Sequence, residues 1–101
     1  MEIINNTTNL QFEVELDGER AEMVYRMRGN TMYIMHTKVP DAFQGKGVAS
    51  KLANHALNYA VDHGHKLAVL CPFVIAYVKR HPEWYQHYDT NYHKGPLPPP
   101  E

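Results

Sequence analysis

The sequence predicts an α+β fold, in which a mostly antiparallel sheet follows the order β-β-β-α-β-α. Two tight-turn motifs, Asp17-Gly18 and Gly29-Asn30, separate three strand-like runs, because these residue types tolerate the backbone angles of short turns. A long amphipathic segment and a short apolar run follow them. The length of 101 residues suits one domain, which we place at residues 1–93, with a proline-rich mobile tail at 94–101.

The three N-terminal strands are predicted from their side-chain patterns. Phe12, Val14 and Leu16 alternate with polar residues, as in a strand with one buried face. The second strand covers residues 21–28 and the third covers residues 31–39. The third carries apolar residues on both faces, which is typical of a central strand.

The second half of the sequence predicts a helix, a strand and a helix. Apolar residues recur every three or four positions over residues 48–63, and Gly64 suits the end of that helix. Residues 67–71 form a short buried strand, and Pro72 opens a helix that continues to residue 80. A strand, a helix and a strand in succession predict a parallel crossover.

Charge and composition disfavour several classes of protein. Ten Lys and Arg against eleven Asp and Glu give a net charge of −1, so we expect no nucleic-acid partner. The apolar stretch 67–78 is too short to cross a bilayer, and residues 1–10 do not resemble a signal peptide, so we expect no membrane association. The single cysteine, Cys71, favours a reducing, cytoplasmic location. The histidines lack ligand spacing, so no metal is predicted.

The loop before the long helix is a candidate anion site. Glycines leave main-chain N–H groups unobstructed, and the helix N-terminus adds partial positive charge at the same point. A diphosphate is the natural ligand, although the same glycines also suit a plain strand-to-helix turn. The residues concerned are Gln44, Gly45, Lys46, Gly47, Val48, Ala49 and Ser50.

Three motifs in this order resemble those of a known family. The loop sequence Gln44 to Ala49 is similar to the Gln/Arg-x-x-Gly-x-Gly/Ala signature of the GNAT superfamily of acetyl-coenzyme A-dependent acetyltransferases. His36-Thr37-Lys38-Val39-Pro40 and the segment from Cys71-Pro72-Phe73-Val74 to Glu83 resemble motifs of its smallest branch. Lys38 departs from the acidic residue that is common in that branch.

The resemblance implies a GNAT-like fold and an N-acetyltransferase that uses acetyl-coenzyme A (acetyl-CoA). The loop residues 44–50 would bind its pyrophosphate, and Thr37 and Val39 would lie beside the pantetheine arm. The thioester would lie near Cys71, where two strands separate. The acceptor would be an amine: a small molecule, a protein lysine or a protein N-terminus.

Two chemical routes are compatible with the candidate catalytic residues Cys71, His36 and Tyr77. In the direct route, the amine attacks the thioester, with His36 or water as the base. In the covalent route, Cys71 first takes the acetyl group. Tyr77 is a candidate acid for the leaving thiolate. Each residue also has a structural interpretation: Cys71 and His36 as core residues, and Tyr77 as a packing residue.

Two other functions are compatible with the same sequence features. The fold could serve as a non-catalytic coenzyme A-binding or protein-interaction module, or as a structural domain whose loop binds nothing. The sequence lacks the helical pair with which full-size members shape the acceptor site, which predicts a small, open, protein-facing site or one that a partner completes. We expect a monomer or a weak homodimer.

Overall fold

A five-stranded sheet forms the centre of the protein in the computed structural model, which describes residues 2–101. Its strands lie side by side in chain order, and each pair is antiparallel except the last, which is parallel. The strands are β1 (Ile4–Asn6), β2 (Gln11–Leu16), β3 (Glu19–Arg28), β4 (Thr31–Lys38) and β5 (Lys66–Val69). The predicted α+β class and parallel crossover are therefore confirmed. Met1, the first residue of the predicted domain, lies outside the described residues.

The two predicted hairpin turns are present. Asp17 and Gly18 both have positive φ, at 52° and 78°, and connect the paired residues Leu16 and Glu19. Gly29, with φ of 58°, makes the equivalent turn between β3 and β4. These left-handed conformations explain why Asp-Gly and Gly-Asn occur at the two turns.

Strand β1 was not predicted. It has three residues and pairs antiparallel with β2, and Ile4 is 55% exposed. A strand this short and polar has no alternating apolar pattern to detect. Its Asn5 side chain accepts a hydrogen bond from the Tyr25 hydroxyl at 2.7 Å, which links the edge of the sheet to its buried face.

Two helices cover one face of the sheet. Helix α1 (Val48–Asp62) begins after Gly47 and ends before Gly64, and helix α2 (Pro72–Arg80) begins at the predicted proline. One apolar core joins both helices to the sheet. Its fully buried larger side chains are Phe12, Val14, Met23, Met32, Ile34, Phe43, Val48, Leu52, Leu57, Leu67, Val74 and Val78.

The chain after α2 protects the outer edge of β5. A 3₁₀ turn (Pro82–His87) leads to Tyr88, which bridges to Leu67, and the Asp89 N–H donates to the Leu67 carbonyl at 2.7 Å. The Val69 N–H donates to Nε2 of His93 at 2.9 Å. This arrangement was not predicted, and it satisfies backbone groups that an edge strand would otherwise expose.

Residues 94–101 follow this edge segment. The Glu101 N–H donates to the Lys79 carbonyl at 3.0 Å, which returns the end of the chain to α2. The mobility of this tail and the boundary at residue 93 stay predictions.

We expect the protein to lose stability as the pH falls below 6.5, in part through His93. Burial lowers the pKa of His93 from the ordinary 6.5, although the nearby Asp89 opposes the shift. Between 6.5 and that lowered pKa the unfolded chain binds the proton more readily than the folded protein, so acidification favours unfolding. In a His93→Gln variant the unfolding free energy should depend less steeply on pH over this range. The decrease in slope should correspond to the uptake of a fraction of one proton on unfolding. An unchanged slope in urea titrations between pH 7 and 5 would refute this assignment.

Candidate active site

Strands β4 and β5 separate part-way along their length. Their parallel pairing ends at Ile34 and Val69, whereas β4 continues to Lys38, which pairs with β3 alone. The Ile34 carbonyl marks the point of separation, because it accepts from the N–H groups of both Leu70 and Cys71, at 3.0 and 3.1 Å. The result is a wedge-shaped gap between the end of β4 and the start of α2. Its edge on β4 offers main-chain groups to an extended ligand.

A β-bulge in β4 decides which side chains face this gap. Tyr25 pairs with Ile34 and the adjacent Val24 pairs with His36, so Met35 has no partner on β3. The extra residue reverses the side-chain alternation beyond it. Thr37, opposite the buried Met23, therefore faces the core and α1, and His36 faces away from them.

His36 is exposed, so the interpretation of His36 as a core residue is wrong. A strict period of two places it on the buried face with Met32 and Ile34, and the bulge is the physical reason why it lies elsewhere. The sequence contains no signal for the bulge.

Cys71 and Thr37 meet at the gap. The Cys71 Sγ lies 3.2 Å from the Thr37 Oγ1, and either atom can be the donor. Cys71 is 2% exposed and is the N-terminal capping residue of α2, whose Ile75 N–H donates to the Cys71 carbonyl at 2.9 Å. The pair therefore places a thiol and a hydroxyl side by side at a helix N-terminus.

The glycine loop adopts the conformation that an anion site needs. A 3₁₀ turn (Asp41–Phe43) precedes it, and Gly45 and Gly47 have positive φ of 76° and 67°. No atom outside the neighbouring residues lies within 4 Å of the position that a Cβ would take at either glycine. Helix α1 has no side-chain cap, which leaves the N–H groups of residues 48–50 without an intrahelical acceptor.

A cleft of about 300 Å³ lies above this loop. It is lined by Val39, Phe43, Gln44, Gly45, Gly47, Val48, Ala49, Ser50 and Phe73. Most of the predicted cofactor-binding residues thus come together in one place. Phe43 and Phe73 were not predicted as lining residues, although Phe73 belongs to the Cys-Pro-Phe-Val motif.

Three predicted cofactor-binding residues are placed differently from the others. Lys46 is exposed and does not line the cleft, and its N–H already donates to the Phe43 carbonyl at 3.2 Å, so its ammonium is the group left for a ligand. Val48 is 2% exposed because its side chain packs in the core, so its main-chain N–H is the group that remains available to a ligand. Thr37 lies at the gap rather than in the cleft.

Tyr77 lies between the two helices. It is 7% exposed, its hydroxyl accepts from Asn54 Nδ2 of α1 at 3.4 Å, and its ring lies 4.4 Å from that of His81. These contacts fit the packing interpretation of Tyr77. Its role as an acid stays a prediction, since Tyr77 is six residues beyond Cys71, about 9 Å along a helix axis.

A family model now decides the identity of the fold. The model of the GCN5-related N-acetyl-transferase family matches residues 11–88. The chain belongs to this family. The resemblance that the three motifs indicated is therefore confirmed at the level of the superfamily.

Individual relatives agree with the family match. Protein NATD1 of Xenopus tropicalis is 40% identical over 75 residues, which cover 71% of this chain and 69% of the relative. The mouse NATD1 is 39% identical over the same length and is covered to 68%. The NMR structure of a GCN5-like protein from Staphylococcus aureus matches with a TM-score of 0.68 at 25% identity, over 93% of this chain and 96% of that one.

The described part of the chain has neither a metal-binding cluster nor a membrane-spanning helix. Residues 2–101 contain no group of three or more His, Cys, Asp or Glu side chains that could hold a metal ion. No helix among these residues has the length and apolar character that crossing a bilayer requires.

Proposed function

We propose that the protein is an N-acetyltransferase that transfers the acetyl group of acetyl-CoA to an amine in the cytoplasm. One observation carries the proposal: the loop cleft adjoins the gap between the strands. Val39, in one wall of the cleft, is two residues beyond Thr37, and Phe73, in another wall, is two residues beyond Cys71. A coenzyme whose diphosphate lies on the loop would therefore place its extended arm in the gap, with the end of the arm at the Cys71–Thr37 pair.

The residues present fit such a coenzyme. The free N–H groups of residues 48–50 and the N-terminus of a fifteen-residue helix attract a diphosphate. The exposed ammonium of Lys46 adds a formal positive charge nearby. The open edge of β4 from His36 to Lys38 supplies donors and acceptors for the amides of the arm.

Acetyl-CoA, when bound, supplies an activated thioester. In the step we propose, the C–N bond of the amide forms as the C–S bond breaks. His36 takes the proton of the attacking amine, because it is exposed on the sheet face opposite α1, from which the amine enters. The Cys71 S–H and the Thr37 O–H share one hydrogen bond, and the hydrogen that this bond does not use is a donor for the negative charge that develops on the thioester oxygen.

The geometry favours the direct route over the covalent one. The polar partner of Cys71 is a hydroxyl, which is not a base, and His36 faces the other side of β4. One observation supports the covalent alternative, namely that Cys71 caps the N-terminus of α2, where the helix dipole stabilises a thiolate.

We expect Cys71→Ala to retain acetyl transfer to within about tenfold of the native rate, because the Cys71 S–H is a weak donor and the Thr37 hydroxyl remains in place. Intact-protein mass spectrometry after incubation with acetyl-CoA alone should show no stable acetyl adduct on the cysteine. Cys71→Ser serves as the control, because it keeps a donor of similar size and is expected to be nearly as active as the native protein.

The covalent route makes the opposite prediction. Both variants would bind acetyl-CoA normally and fail to transfer the acetyl group, and the native protein would carry an acetyl group on Cys71. Acetyl-CoA binding by the native protein without transfer to any amine would instead indicate a non-catalytic coenzyme A-binding module.

A further inference from the structure

A second cleft lies on the sheet face opposite α1, with a volume of about 300 Å³. Its lining residues, which we call the basic cleft, are Arg26, Met27, Arg28, Tyr33, Met35, Leu70 and Tyr92. We propose that the basic cleft binds a peptide acceptor in which acidic residues lie close to the lysine to be acetylated. The inference rests on the proposed function and specifies its substrate.

The basic cleft opens next to the gap between β4 and β5. Met35 is the bulge residue of β4, and Leu70 directly precedes Cys71, so the two flank the point where the strands separate. His36 is on this same face, since it pairs with Val24 rather than with a residue under α1. A lysine side chain that enters from the basic cleft therefore reaches the candidate base and the thioester end of the gap together.

The charge of the basic cleft has no partner within the described residues. Arg26 and Arg28 are exposed and form no ion pair among residues 2–101. Arg26 makes one hydrogen bond, from Nη1 to the Tyr25 carbonyl at 2.9 Å, which leaves its remaining N–H groups free for a carboxylate. Two exposed arginines without ion-pair partners favour an anionic ligand.

The acidic groups of the same face lie elsewhere or are occupied. Glu13 contacts Arg20 at 3.9 Å, and Glu15 pairs with the same arginine across the sheet. Glu22 stands opposite Lys38, on the side of His36 away from the two arginines. Asp89, near Thr31, is 9% exposed and accepts from the Thr31 hydroxyl and from the Asn91 N–H. None of them neutralises the two arginines, so the basic cleft carries net positive charge next to the gap between β4 and β5.

The dimensions of the basic cleft fit an extended peptide. Arg26 pairs with Tyr33 and Arg28 pairs with Thr31, two and four residues before Met35. At the rise of a strand, these positions lie about 7 and 13 Å from the gap. An extended peptide has the same rise, so acidic residues two and four positions from the lysine match the arginines. Tyr92, which is 43% exposed and whose ring lies 5.4 Å from that of Tyr33, provides an apolar contact along the way.

The test compares two lysine peptides with blocked N-termini. In one peptide, the residues two and four positions from the lysine are Glu, and in the other peptide they are Gln. The acetylation rate and the binding of labelled peptide are measured for the full chain. We expect about tenfold preference for the Glu peptide, as two exposed ion pairs provide, and a loss of that preference at high salt. The variant Arg26→Gln/Arg28→Gln should lose the preference. Arg20→Gln, on the same strand, should keep it.

Each outcome has a distinct meaning. Equal binding of the two peptides, or a preference that survives in Arg26→Gln/Arg28→Gln, would overturn the inference. Acetylation of both peptides at the same rate would do so while leaving the proposed function intact. Binding of the Glu peptide that depends on the two arginines, with no acetylation, would support the basic cleft as a docking surface and would count against the acetyltransferase.

Discussion

Acetyl-CoA binding is expected to fall at least about a hundredfold when Gly47 is replaced by glutamate. The substitution places a carboxylate beside the N–H groups that would receive the diphosphate, and like charges in that position repel. It also forces a side chain onto a backbone with φ of 67°, which costs about 1–2 kcal/mol of folding free energy for residues other than glycine, so the folded fraction is measured alongside binding. The hundredfold effect corresponds to a loss of about 3 kcal/mol in binding free energy, measurable by calorimetry.

The matched control for this variant is Gly64→Glu. Gly64 has φ of 75°, no atom within 4 Å of its Cβ position, and a place at the other end of α1. The two variants therefore share the backbone strain and the added charge, and they differ in distance from the loop. Normal binding by Gly64→Glu with loss in Gly47→Glu is the expected pair of results. Equal binding by both would show that the loop does not hold the coenzyme.

Replacing His36 by alanine is expected to lower kcat about a hundredfold, since a positioned general base contributes roughly 10²–10⁴ to a rate. The affinity for acetyl-CoA should stay unchanged, because the His36 side chain lies on the face away from the loop cleft. The measurement is the steady-state rate with saturating acetyl-CoA and amine.

Rescue by imidazole separates a base from a structural residue. His36 is exposed, so added imidazole has access to the space that the alanine variant leaves. We expect part of the activity to return with increasing imidazole concentration. The control is His63→Ala, at the exposed end of α1, which should be as active as the native protein. A fully active His36→Ala variant would exclude His36 as the base.

Local signals in the sequence were sufficient for most of the fold. The Asp17-Gly18 turn, the apolar spacing along α1 and the proline at the start of α2 each reflect a preference of a few neighbouring residues. The loop glycines are of the same kind, because only the positive φ of Gly45 and Gly47 lets the chain turn into α1. These parts were predictable because their physics is local.

The parts that were not predicted depend on contacts between distant segments. The bulge at Met35 is defined by the register against β3, and it moved His36 from an expected buried face to an exposed one. The edge contact of His93 with Val69 joins residues that are 24 positions apart. No pattern in a single stretch of sequence predicts either the bulge or this hydrogen bond.

If acetyl-CoA lies across the loop and in the gap at once, an amide NMR titration of the full chain will show one saturable set of shifts. We expect these shifts at residues 47–50 of the loop, at Thr37 and at Cys71, with little change in the distant strand β1. Shifts confined to another surface, or no shifts at millimolar acetyl-CoA, would contradict this placement of the coenzyme.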